Sequence, residues 1–257
     1  MSLSVETLAV TIGDKRLLNE VSVAFASGHV TAILGPNGAG KSTLMACLAG
    51  LMQPTGGRVL LDDRPRGDFE RRDLARRVGY LPQEADVHWN VDVATLVGLG
   101  RFPHRGRWGE TPEDRDAVTR AMAATDVGGF AKRGVSTLSG GERARVLLAR
   151  VLAGEPDWLL ADEPLANLDP AHQLDGLDAL RRVAAAGAGV IVVLHDLNHA
   201  ARVADDVLLL RDGRVVAFGP PDQVLTRDLV AATYGVDTHV GVAPGGRRFL
   251  IPTERLA

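Results

Sequence analysis

Residues 35–43 read Gly35-Pro36-Asn37-Gly38-Ala39-Gly40-Lys41-Ser42-Thr43, a complete G-x-x-x-x-G-K-[ST] run. Gly35, Gly38 and Gly40 let successive backbone N–H groups turn toward one centre, a geometry that suits a polyanion. Lys41 adds a cation for β- and γ-phosphates, and the Ser42 hydroxyl a ligand for Mg2+. Thr43 offers a further donor on the α-phosphate side. The chemistry is capture of a magnesium nucleoside triphosphate. A bare glycine-rich turn with a solvated lysine would not need a strand before it and a helix after it.

Other polar residues end short apolar runs. Leu159-Leu160-Ala161 leads into Asp162 and Glu163, and Val190 to Leu194 leads into His195. Ligands of a doubly wound sheet gather at the carboxyl ends of its strands, so both runs are expected to deliver these groups beside the cradle. Asp162 suits Mg2+, generally through water, because that ion keeps several waters and few protein ligands. Glu163 is placed to orient or deprotonate an attacking water, and His195 to contact the γ-phosphate. Gln83 follows Tyr80-Leu81-Pro82 and offers an uncharged amide to both metal and water. Ser139-Gly140-Gly141-Glu142 has two compatible readings. Serine three residues before glutamate is a helix capping box, and a helix start behind two glycines is also an anion site. The chain already has one cradle for its own nucleotide. A second anion site makes most sense if it serves the nucleotide of another subunit.

These groups need elements to hold them. His29 to Leu34 is a β-branched apolar run of strand length ending at Gly35. Past the cradle, Leu44, Cys47, Leu48 and Leu51 fall at i, i+3, i+4 and i+7, which predicts a helix with one buried stripe. Val21, Val23 and Phe25 alternate as a half-buried strand does. Arg58 to Leu61, after a Gly56-Gly57 turn, and Arg77 to Leu81 are further strand candidates. From residue 84 to 155 the character turns helical, with a helix expected over Arg143 to Leu152. Strands follow at Trp158 to Ala161 and Gly189 to Leu194, with a helix over Asp175 to Ala186. Asp206 to Gly219 reads as a hairpin turning at Asp212-Gly213. The expected architecture is an α/β core with antiparallel strands at one side and a helical insertion.

Composition narrows the classes. The 257 residues suit one large domain or two closely joined ones. With 29 basic and 32 acidic residues the net charge is −3, so no whole-chain field favours nucleic acid. Apolar residues make up 46%, enough for a core, yet a run such as Val190 to Leu194 is far too short to cross a bilayer. No charged-then-apolar leader opens the chain. The single cysteine, Cys47, lies on the apolar stripe and reads as buried and inert. The expectation is a soluble intracellular protein, held at a membrane, if it works there, by another protein.

Together these residues resemble the nucleotide-binding subunits of ABC transporters over essentially the whole chain. The phosphate loop at 35–43, Gln83, the Leu138-Ser139-Gly140-Gly141-Glu142 signature, Asp162-Glu163, the Asn167-Leu168-Asp169 loop and His195 stand in family order. The resemblance implies a P-loop NTPase core with an antiparallel β subdomain over 1–84 and 156–218. It also implies a helical subdomain over 85–155 and a short C-terminal extension over 219–257. It implies ATP and Mg2+ as cofactors, with Lys41, Gln83, Glu163 and His195 catalytic and Ser42, Gln83 and Asp162 at the metal. Two copies are expected to pack head to tail, so that Ser139, Gly140, Gly141 and Asp169 meet the other copy's nucleotide. Residues 75–83 and 97–104 look most like the ATPases of iron-siderophore, haem and vitamin B12 importers. The implied partners are membrane-spanning permease subunits and, indirectly, a substrate-binding protein. Trp89, Phe102, Trp108, Arg101, Arg105 and Arg107 are the expected docking residues at the inner membrane's cytoplasmic face. Two departures stand out: Glu142 where many members have glutamine, and Ile12 where an adenine-stacking aromatic is usual. The alternative is a soluble ABC ATPase acting on nucleic acid, ribosomes or protein assembly. Such proteins usually join two cassettes or insert long arms, and this sequence shows one cassette and no insertion.

Overall fold

The computed structural model describes residues 1–83, 91–106, 109–166, 168–242 and 248–256. Trp89, Arg107, Trp108 and Asn167 lie outside them. Along the chain come β1 (Ser2–Ile12), β2 (Lys15–Ala26), β3 (Val30–Leu34), α1 (Lys41–Ala49), β4 (Gly56–Leu61), β5 (Arg64–Pro65), α2 (Arg71–Arg77) and β6 (Val78–Leu81). Helices α3 (Val93–Gly98), α4 (Pro112–Ala124) and α5 (Gly140–Leu152) follow. Then come β7 (Trp158–Asp162), α6 (Pro170–Ala185), β8 (Gly189–Val193), α7 (Leu197–Val203), β9 (Asp206–Arg211) and β10 (Arg214–Gly219). The last elements are α8 (Pro221–Val224), α9 (Arg227–Tyr234), β11 (Val236–Val242) and β12 (Arg248–Arg255).

The central six-stranded sheet has the order β10-β9-β3-β8-β7-β6, with β9, β3, β8, β7 and β6 parallel and β10 antiparallel at the edge. A parallel sheet must be covered on both faces, and here the alternation along each strand divides two cores. Ala32, Leu159, Val192 and Leu209 join one core, with α5, α6 and α7. Ile33, Leu160, Ile191 and Leu208 join the other, with α1 and the β2-β1-β4-β5 antiparallel sheet. Arg77 ties the two sheets: its guanidinium donates to Asp62 at 2.5 Å and to Asp157 at 2.7 Å.

Four sequence expectations need correction. Leu51 is not on the buried stripe of α1; the helix stops at Gly50, whose left-handed backbone caps it, and Leu51 is 69% exposed. Gly56 and Gly57 belong to β4 rather than to a turn before it. Arg77 ends α2 instead of opening a strand, and α2 itself was not foreseen. Helix α6 starts five residues earlier than its apolar period suggests, because Asp169 caps it and Pro170 fits its first turn. The Asp206–Gly219 hairpin holds, with Asp212 at φ 50° and Gly213 at φ 71° as a two-residue turn needs.

Candidate functional site

Four adjacent strands, β3, β8, β7 and β6, each end in one piece of the site. After β3 the chain turns at Gly35, where φ is 153° and a Cβ would stand 2.1 Å from the Leu210 carbonyl oxygen of β9. Only glycine lets the loop pass that close. At the other end Gly40 sits at φ 98° against the Leu17 carbonyl, and α1 begins with Lys41. Lys41 is 6% exposed and folds back over its own loop, donating from Nζ to Gly35 O at 2.8 Å and Pro36 O at 3.0 Å. Burial lowers its pKa, opposed by the charges of Glu163 and Asp162. A phosphate offers this ammonium a charged acceptor in place of two neutral carbonyls.

Asp162 ends β7 at 2% exposure, and burial raises its pKa, with the Ser42 hydroxyl bond pulling the other way. Its Oδ1 is buried without a hydrogen-bond partner. A buried carboxylate oxygen left unpaired beside a serine hydroxyl is the donor set a hard, oxygen-loving cation needs, so Ser42 and Asp162 fit Mg2+. Glu163 leaves the strand at φ 51°, a strained value for a glutamate. Both its oxygens are held: Oε2 accepts from Gln83 Nε2 at 2.8 Å, and Oε1 lies 2.5 Å from His195 Nε2. The sequence-predicted Gln83, Glu163 and His195 are therefore one cluster, beside a cleft of about 170 Å3 that Gln173, Asp196 and His199 also line. A larger cavity of about 610 Å3, between α4 and α6, holds none of the site residues.

The signature lies at the start of α5. Ser139 caps it: its Oγ accepts from Glu142 N at 3.3 Å, and its own N–H donates to Glu142 Oε2 at 2.8 Å. The capping-box reading holds. Ser139 and Gly140 are exposed, and among the described residues no hydrogen bond joins Ser139, Gly140 or Gly141 to the cradle. Gly141 packs on the His172 ring, which bonds Asp169 Oδ2 through Nδ1 at 2.6 Å. Sequence reasoning missed His172 because a histidine three residues after an aspartate carries no signal until the helix brings Gly141 against it. Ile12, which the sequence already placed where relatives of this kind usually stack an aromatic on adenine, is 57% exposed at the end of β1 and offers an aliphatic surface.

Phe102 is 72% exposed, beside a groove of about 340 Å3 lined by Tyr80, Leu99, Pro103 and Arg150. Arg101, expected at a docking surface, is instead a buried structural cation. Its guanidinium donates to Asp114 at 2.8 Å, to Ala153 O at 3.0 Å and to Glu155 at 3.0 Å. Arg105 is half-buried and donates to Gly98 O at 3.2 Å.

A family model for ABC transporters matches residues 18–166. The chain is 44% identical to the hemin import ATP-binding protein HmuV of Pseudomonas putida, over 98% of this chain and 100% of that protein. It is 42% identical to the cobalamin import ATP-binding protein BtuD of Halobacterium salinarum, over 95% of this chain and 61% of that one. Among solved structures, a metal-chelate type ABC transporter in an inward-facing conformation superposes with a TM-score of 0.85 at 26% identity, covering 98% and 97% of the two chains. With the cradle, the paired carboxylates and the capped signature in place, the chain belongs to the ABC transporter family, as an ATP-binding and ATP-hydrolysing subunit.

Proposed function

We propose that this subunit powers import of a metal chelate or cofactor of the hemin or cobalamin kind, working as a head-to-tail pair on membrane-spanning permease subunits. The named relatives support the cargo class and the direction. No helix among the described residues is long and apolar enough to cross a membrane, so a separate permease would form the path. The exposed Phe102 and its groove are the surface offered to that permease; aromatic anchors in a pocket suit such an interface. A substrate-binding protein would deliver the cargo on the far side.

The observation that carries the catalytic reading is Glu163, held by Gln83 and His195 directly after Asp162, whose Oδ1 is buried without a partner at the end of β7. Lys41 and the loop N–H groups of residues 35–43 bind the phosphates, and Ser42 and Asp162 would hold Mg2+. The ion, when bound, offsets charge on the phosphate oxygens. Glu163 takes the proton of the attacking water once its bonds to Gln83 and His195 yield. His195 then carries a donor toward the γ-phosphate. Ser139, Gly140 and Gly141 of the second copy would close the other side of the nucleotide, with Asp169 at the seam, and closure is the step that drives the permease.

The test is a pull-down with tagged Glu163→Gln protein and ATP from detergent-solubilised native membranes. The expected outcome is a trapped, ATP-bound dimer with turnover reduced about 100-fold or more and a polytopic permease recovered with it. Recovery of ribosomal or nucleic-acid-associated proteins alone, with no permease, would move the protein to the soluble class.

A further inference from the structure

The glutamate that closes the signature creates an electrostatic problem, and one arginine outside every motif answers it. Helix α5 offers its N-terminus, with exposed Ser139 and Gly140, as an anion-binding end. A carboxylate at the third helical position stabilises the helix but repels an incoming phosphate. Glu142 is firmly ionised: the hydrogen bond from Arg133 and that from Ser139 N–H hold its pKa down at about 2. Arg133 grips it with a fork, from Nη1 to Oε1 at 2.8 Å and from Nη2 to Oε2 at 3.4 Å. The same Nη2 donates to Thr137 O at 2.9 Å, on the turn that leads into the signature. The guanidinium in turn lies over the Phe130 ring, 5.0 Å from its centre. One side chain thus fixes the turn before the signature, orients the cap and cancels its charge.

We propose that Arg133 is a positioning residue for ATP hydrolysis in the opposite subunit: it neutralises Glu142 and sets the signature turn, so that Ser139 and the α5 N-terminus can receive the partner copy's γ-phosphate. This rests on the head-to-tail reading given above. It assigns a cost to having glutamate rather than glutamine at the third helical position, and it makes that cost conditional on the arginine. A glutamine keeps the acceptor for Ser139 N–H without bringing a charge. Arg133 is then needed only for its bond to Thr137.

The experiment measures the ATP concentration for half-maximal dimerisation of the full chain carrying Glu163→Gln, by sedimentation, together with ATP binding to the monomer and the thermal midpoint. Arg133→Ala should raise the half-maximal concentration about tenfold or more while monomer affinity stays within about twofold. With Glu142→Gln also present, the same Arg133→Ala change should cost less than about threefold. That pattern separates charge neutralisation from a general structural role, which would lower the midpoint and the dimer in both backgrounds alike. Equal losses in the two backgrounds, or no loss with Glu142 intact, would overturn the proposal. Ser139→Arg serves as the check on the underlying reading: if it dimerises normally with ATP, the trans assignment falls, and the role of Arg133 with it.

Discussion

Glu163 and Asp162 are neighbours in sequence with opposite surroundings, and those surroundings assign their roles. Asp162 is sealed in with an unpaired oxygen, while Glu163, at φ 51°, has both its oxygens held by polar partners, Gln83 and His195. Because burial raises the Asp162 pKa, its ionisation costs stability as pH climbs through that raised value, and the ion-free protein carries the cost at neutral pH. Asp162→Asn removes a buried charge that the Ser42 hydroxyl and Lys41 offset only in part. We expect it to raise the thermal midpoint of the EDTA-treated, nucleotide-free protein by about 2–4 °C and to abolish Mg2+-dependent ATP hydrolysis. A midpoint that falls instead would show that Asp162 is satisfied without the ion. The identities of these residues were legible because each ends an apolar run. Their contacts were not: nothing in the spacing between Gln83 and Glu163, 80 residues apart, says that they share a hydrogen bond.

At the scale of elements, what the sequence disclosed follows from burial. Strands β3, β7, β8 and β9 are covered on both faces, so they read as unbroken apolar runs bounded by turn residues. Helix α2 has only Leu74 and Ala75 as apolar residues in seven and no stripe to find; it is fastened from outside, where Arg72 and Arg76 donate to the Pro103 carbonyl at 2.7 and 2.9 Å. The β11–β12 hairpin was equally hidden. Its inner edge is completed by a side chain: Asn198 on α7 accepts from Leu250 N at 2.8 Å and donates to Leu250 O at 3.1 Å, standing in for a third strand. Asn198 lies three residues past His195, so the hairpin is strapped to the helix that follows His195. Asn198→Ala should cost about 1–2 kcal/mol locally. Hydrogen exchange at the Leu250 amide should then quicken about tenfold or more, with the β3 and β8 amides unchanged. Unaltered exchange at Leu250 would mean that packing, and not this amide, secures the hairpin.

The molecule gathers its candidate chemistry at the carboxyl ends of β3, β8, β7 and β6, and among the described residues no hydrogen bond joins the signature to the cradle. That division is compatible with the two-copy arrangement proposed above. The surroundings of the expected docking residues were not readable. Arginines near Phe102 looked alike in sequence, yet Arg101 is spent inside on Asp114, because a helix packs over it that no local pattern announces. Cys47 is the chain's single cysteine, fully buried, with its thiol pKa raised by that burial. The native chain is therefore silent to thiol reagents. Cysteines introduced at exposed Asn37 and Ser139 would be the only reactive sulfurs, and a short bifunctional maleimide should join them between copies when ATP closes the Glu163→Gln dimer. Links that form equally without nucleotide would contradict closure. With no native thiol to remove first, the opening and shutting of this subunit can be followed by fluorescent or spin probes in an otherwise unaltered sequence.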